Sequence, residues 1–164
     1  MNENVTVIEI ARMEGAHLIG LVGQFAELIE AADVGPRSAD PAVRRLVPDG
    51  YADPDAAREF RSLTEGDLLS RRQTDAASVI ASLADLADIS EDPDDPALVE
   101  VVQIRLDADT AGAWLRTLAA IRLVLATRLG IVDEDDHDQD DPRFGIYDWL
   151  GYRLDGLVRA IDAD

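Results

Sequence analysis

Asp107-Ala-Asp-Thr-Ala-Gly-Ala-Trp-Leu-Arg-Thr-Leu-Ala-Ala-Ile-Arg-Leu-Val-Leu-Ala-Thr-Arg-Leu-Gly130 is the most hydrophobic helical segment of the chain. At about 100° per residue, Trp114, Leu118, Ile121, Leu125 and Leu129 fall within roughly a quarter-turn of one another. Leu115 widens that stripe, while Leu123 lies on the opposite side. A helix apolar on more than one face needs neighbours on more than one side, so Ala108–Gly130 is expected at the centre of a helical bundle. Asp107 supplies an N-cap carboxylate, and Gly130 is the residue that ends a helix most cheaply.

Just upstream, Val102, Ile104 and Leu106 alternate with Gln103 and Arg105, the period of a half-buried strand over Val101–Leu106. Its evident pairing partner is the β-branched run Val5-Thr-Val-Ile-Glu-Ile10. Two strands alone are marginal, so the ribbon must lean on helices. From about Arg12 the period changes. Leu18, Leu21, Val22, Phe25, Leu28, Ile29 and Ala32 mark an amphipathic helix, which Gly35-Pro36 should stop. Gly20 and Gly23 inside it cost about 1 kcal/mol each relative to Ala, and close approach of another helix is the expected compensation.

The middle of the chain is punctuated by Asp40-Pro41, Pro48-Asp49-Gly50 and Asp53-Pro54. A short helix over Pro41–Leu46 and a second over Asp55–Leu63 are expected, the latter burying Ala56, Phe60 and Leu63. Thr64 and Asp67 form a weak capping box that should start a further helix. Leu69, Ala76, Val79, Ile80, Leu83 and Leu86 mark its buried face to about Ala87. Ser90–Pro96 reads as a polar loop, and residues 133–141 as an acidic one. A last helix from about Pro142 to Ile161 shows Tyr147, Leu150, Leu154, Leu157, Val158 and Ile161 at helical spacing. The whole is expected to be a mainly α single domain over residues 1–164, five to six helices with a small two-stranded ribbon.

Composition excludes several activities. The chain has 34 acids, 15 bases that are all Arg, no Cys and a net charge of −19. Without Cys there can be no disulfide, thiolate zinc site or thiol redox centre. Residues 1–35, 36–72 and 73–164 carry net charges of −5, 0 and −14. Nucleic-acid binding rests on Lys/Arg displacing counterions, so direct duplex binding is not expected. The longest apolar stretch, Ala16–Ala32, contains Gln24, Glu27 and Glu30, which disqualifies it as a membrane span. The first base is Arg12, so a signal n-region is missing and a soluble, cytoplasmic protein is expected.

The run Trp114–Ile131 closely resembles the signature of an actinobacterial family long filed as a domain of unknown function, some of whose members are described as oxidative-stress-sensing transcriptional regulators. Asp40–Tyr51, continued through Glu59–Leu68, and Tyr147–Tyr152 are similar to further parts of it. The resemblance implies a regulatory role but brings no established catalytic residues. Ala119-Ala120 stands where that family usually has Asn-Asp, so a polar network built on that pair is missing. The regulator description is linked to cysteine redox sensing, which a cysteine-free chain cannot perform through an intramolecular disulfide.

Catalytic constellations are not evident. Ser in a Gly-x-Ser-x-Gly elbow is missing, and Gly15, Gly20 and Gly23 have the wrong spacing for a phosphate cradle. His137 among six Asp residues invites a metal reading, but frames starting at Asp133 or Asp136 lack the Gly and Glu of a calcium loop. A solvated loop is therefore expected, with no metal and no cofactor. His17 is expected at the edge of the core. Arg122 and Arg128 are expected to fold over the core and pair with carboxylates such as Asp148 or Asp155. The basic residues Arg44, Arg45, Arg71 and Arg72 are the candidates for a partner-facing patch.

These readings lead to a non-enzymatic regulatory protein that binds another protein, with transcription machinery such as a sigma factor as a fitting partner for an acidic surface. The alternative is a metal- or small-molecule-binding enzyme using clustered carboxylates. An exposed apolar strip at Gly20 and Gly23, or on the Leu123 side of Ala108–Gly130, would point to a homodimer.

Overall fold

The computed structural model describes residues 4–34, 40–46, 54–132, 137–138 and 140–163. Among them the chain is mainly helical, with one two-stranded antiparallel sheet. The order is β1 (Thr6–Ala11), α1 (Arg12–Val34), α2 (Pro41–Arg44), α3 (Pro54–Ser82), β2 (Val101–Leu106), α4 (Ala108–Leu129) and α5 (Gly145–Asp162), with short 3-10 turns at Ala84–Leu86, Pro96–Val99 and Pro142–Phe144. The ribbon pairs β1 with β2 as the alternation required, Thr6 opposite Leu106 and Ile10 opposite Val102. Helix α1 packs on α3, α3 on α4, and α4 on α5 and α2. No described helix is long and apolar enough to cross a membrane.

Helix boundaries follow the caps. Asp107 has extended backbone and its carboxylate accepts from the Thr110 N–H at 2.8 Å. Gly130 adopts φ 73°, the left-handed conformation a side chain would resist. Asp40, Asp95 and Asp141 cap α2 and two of the 3-10 turns in the same way, each followed by Pro at the first helical position. The Asp107 and Gly130 caps match the expectation, whereas the Asp95 and Asp141 caps fall in stretches expected as loops. The expected break at Thr64 is not found, because α3 runs unbroken from Pro54 to Ser82. Extending a helix adds one hydrogen bond per residue ordered, whereas a new start bears the nucleation cost again. Asp at the third position is also a weak capping-box partner. The turns expected over 47–53 and the stop at Gly35-Pro36 lie outside the described residues.

The core collects the apolar stripes of these helices. Leu18, Val22, Phe25 and Ile29 of α1 meet Leu69, Ala76 and Val79 of α3 together with Leu83 and Leu86 beyond it, and Trp114, Leu118 and Ile121 of α4 join them, with Leu150 and Leu157 from α5. Each fully buried Leu or Ile contributes about 1.5–3 kcal/mol. Trp114 is buried, and its indole N–H donates to Ser82 Oγ at 2.9 Å, so its one polar atom is satisfied. The one helical glycine of α1 that another element presses against is Gly15. A Cβ there would stand 2.3 Å from Leu86 Cδ1.

Candidate interaction groove

Gly20 and Gly23 do not receive a helix. A Cβ added at either meets nothing within 4 Å, so the expected close approach is corrected: the wall recedes where Gly20 stands. In its place a cavity of about 640 Å³ opens between α1 and the start of α5, lined by Glu14, His17, Gly20, Leu21 and Gln24 on one side and Gly145, Ile146 and Trp149 on the other. A second, of about 320 Å³, shares Leu21 and Gln24 and continues between Phe25 and Leu28 of α1 and Ile121, Val124, Leu125 and Arg128 of α4. Together they make a furrow along α1 from Glu14 to Leu28, about 21 Å at 1.5 Å per residue.

The charged groups of the furrow are already engaged. Glu14 Oε2 accepts from the Trp149 indole N–H at 3.1 Å and from Arg153 Nε at 3.0 Å, with Arg153 Nη2 on the same oxygen. Arg153 also donates to the Glu9 carbonyl at 2.9 Å, tying α5 to both α1 and β1. At the other end Arg128 pairs with Asp40 at 2.9 Å. What remains open is largely apolar, with Ile146 exposed at one lip and the polar His17 and Gln24 exposed along α1. His17 is exposed and lines the furrow, correcting its expected place at the core's edge. It lies one position off the stripe that Leu18 buries.

The four arginines of the expected patch divide by role. Arg44 and Arg71 are exposed. Arg45 donates to Thr127 Oγ1 at 2.9 Å and Arg72 to the Arg116 carbonyl at 3.3 Å. Arg116 and Thr127 are eleven residues apart on α4, which places them on one face of it about 16 Å apart. The two Arg pairs therefore flank one helix face at separate points and do not merge into one patch. Burial lowers the Arg72 guanidinium below its ordinary pKa, against the raising influence of Asp75. Asp75 itself holds Arg116 through two hydrogen bonds of 2.8 and 3.0 Å, which raises that guanidinium.

One further expectation holds in its coarser part and another is corrected. Arg122 and Arg128 fold over neighbouring structure, and Arg128 finds a carboxylate, though a different one from Asp148 or Asp155. Arg128 takes Asp40, and Arg122 donates through Nε to the Tyr147 carbonyl at 3.2 Å while lying over the Tyr147 ring. Asp148 receives His137, whose Nε2 is 2.7 Å from Oδ1. The His137 side chain is only 3% exposed, wedged against Phe144 and Tyr147. That residue is a packed anchor and not part of a solvated loop. Its signal was readable only in three dimensions, because the aromatic pair lies on the following turn and helix. Residues 133–136 and 139 of the acidic stretch lie outside the described residues. Among the described residues no group of three or more His, Asp or Glu side chains is placed to hold a metal.

These features define a helical protein with an open apolar furrow and pre-paired charges. The sequence matches the family described as a domain of unknown function (DUF2017) over residues 2–161, and the chain belongs to that family. No curated protein and no solved structure matches it.

Proposed function

We propose that this chain is a non-enzymatic regulatory protein that acts by binding another protein, and that the furrow along α1 accepts an amphipathic helix of that partner. The observation that carries the reading is the furrow itself. It is about four helical turns long, apolar along Leu21, Phe25 and Leu28, and unobstructed at Gly20. A partner helix would place residues of i, i+3, i+4 and i+7 spacing into it. Ionic groups that are already paired cost less to cover than unpaired ones, which would oppose docking more strongly.

The partner should be basic. The chain as a whole carries −19, so opposite charge steers the encounter, an attraction that weakens with salt. The resemblance to a family some of whose members are described as transcriptional regulators supports transcription machinery, such as a sigma factor, as the partner class. Arg44 and Arg71, both exposed, are the cations available to carboxylates on such a partner. Stress sensing by cysteine is excluded by composition.

Affinity capture from native-host lysate, comparing the wild-type chain with Gly20→Trp at low and moderate salt, tests the proposal. The indole would fill the furrow from an open position without disturbing the core. The expected result is a basic protein retained by the wild type, released by salt and lost with Gly20→Trp at unchanged melting temperature. Equal retention by both forms, or none by either, overturns it.

A further inference from the structure

The ribbon has two edges, and among the described residues only one of them is covered. Thr6, Ile8 and Ile10 lie opposite Leu106, Ile104 and Val102, and the Arg12 N–H continues the same register to the Glu100 carbonyl at 3.0 Å. Those even-numbered pairs exchange the ladder hydrogen bonds. In an antiparallel pair the intervening residues turn their N–H and C=O groups outward. On β1 the outward carbonyl of Glu9 is taken by Arg153 Nη1, and α5 lies along that edge. On β2 the outward residues are Val101, Gln103 and Arg105. All three are exposed, and no described element pairs with them.

We propose that this open edge of β2 binds an extended, basic segment of another protein as a third strand of the ribbon. Six backbone groups, three N–H and three C=O, are available to it, the arrangement by which an added strand gains affinity. Sheet edges are ordinarily guarded by Lys, Pro, a bulge or a covering element. Here the strand Val-Val-Gln-Ile-Arg-Leu holds one Arg as its guard, and Val99 and Val101 stand 65% and 60% exposed beside it.

Charge chooses the occupant. Residues 90–100 carry five carboxylates and no base, and Asp107 and Asp109 follow the strand. A second copy pairing antiparallel about Gln103 would bring its own Asp107 and Asp109 against that acidic stretch, so like charges oppose it. A segment with an apolar, β-branched centre and Lys or Arg at both ends meets opposite charge at both ends.

The test uses the full chain and a synthetic probe, acetyl-Arg-Arg-Val-Thr-Val-Thr-Val-Arg-Arg-amide, followed by calorimetry and residue-resolved amide exchange. Binding should slow exchange at Val101, Gln103 and Arg105 and leave the already paired Ile104 amide little changed. Affinity should fall about tenfold or more, the equivalent of roughly 1.4 kcal/mol, when alternate peptide amides are N-methylated or when Glu replaces the probe's Arg. Gln103→Pro removes an outward N–H that the ladder to β1 does not use, a position where an edge strand tolerates Pro, and should weaken binding similarly. The N-methylated probe on the wild-type chain decides the matter if that variant folds poorly. Equal binding by the methylated probe, or unchanged exchange at the three amides, overturns the proposal. So does finding those amides protected in a dimer of the free chain, which would give the edge to a second copy. Gly20→Trp should bind the probe as the wild type does, which separates this edge from the furrow.

Discussion

The Arg122 guanidinium carbon stands 4.0 Å from the centre of the Tyr147 ring, so α4 is clamped to α5 by a cation on an aromatic face. Gly151, one turn further along α5, makes that position possible. A Cβ there would lie 2.8 Å from Arg122 Nη2 and 3.0 Å from Cζ. Gly151→Ala should therefore push the guanidinium out, losing both the ring contact and the hydrogen bond to the Tyr147 carbonyl. About 1–2 kcal/mol is expected from those two interactions, offset by the helix propensity that Ala gains. The signature of the mechanism is non-additivity in urea unfolding: with Arg122→Ala already present, Gly151→Ala should turn neutral or stabilising. Additive effects would show that the glycine is not there for the arginine.

Three glycines of α1 should respond to alanine with opposite signs. Gly20→Ala and Gly23→Ala meet open space and should each stabilise by up to about 1 kcal/mol through helix propensity. Gly15→Ala drives a Cβ against Leu86 Cδ1, with Leu86 Cβ and Cγ also only 3.2 and 3.3 Å away, and Leu86 is buried. Overpacking of that kind costs about 1–3 kcal/mol. Thermal melts of the three single variants check this, and a stabilising Gly15→Ala would contradict the packing described.

The contrast between those glycines shows what the sequence could convey. Periodicity and caps revealed β2, α4 and their boundaries, since Asp107 and Gly130 act through groups within four residues of themselves. The core positions Leu18, Val22, Trp114 and Leu150 followed from spacing alone. Gly15 was not singled out, because its partner Leu86 lies 71 positions away and only tertiary packing brings them together. The same holds for His137 with Asp148 and for Arg128 with Asp40. The furrow was half legible: Gly20 and Gly23 marked an unusual face of α1, but whether a helix filled it depended on the placement of α4 and α5.

Acid should weaken the helix starts. The Asp107 carboxylate is held below its ordinary pKa first by the Thr110 backbone N–H, Asp95 first by the Ala97 backbone N–H, and Asp141 first by the Arg143 side chain and then by the Arg143 backbone N–H. A folded-state pKa below the unfolded value, about 3.9 for Asp, gives stability that is full above about pH 4 and is lost as pH falls through the folded-state value. Asn caps nearly as well but does not titrate there. The stability difference between wild type and Asp107→Asn should thus be constant from neutral pH down to about 4 and shift against the wild type below it. Urea midpoints across that range measure the difference. Curves that stay parallel to the lowest pH would show that the cap carboxylate has no lowered pKa.

The two histidines offer the sharpest test of the packing around α5. His17 is exposed on α1, and His17→Ala should change stability by no more than about 0.5 kcal/mol, as surface substitutions do. His137 contacts Phe144 and Tyr147 at ring-centre distances of 4.7 and 5.5 Å and reaches Asp148 at 2.7 Å. Its Nδ1 is buried without a hydrogen-bond partner among the described residues, so among them the site is held by the ring contacts and the bond from Nε2. Removing the ring leaves a cavity between two aromatics and an Asp148 oxygen without its partner, which should cost about 2–3 kcal/mol. His137→Phe should recover part of that through shape, and the remainder measures the bond to Asp148. If His137→Ala is as mild as His17→Ala in urea unfolding, then His137 does not anchor this end of the acidic stretch, and the contact with Asp148 contributes nothing to the fold.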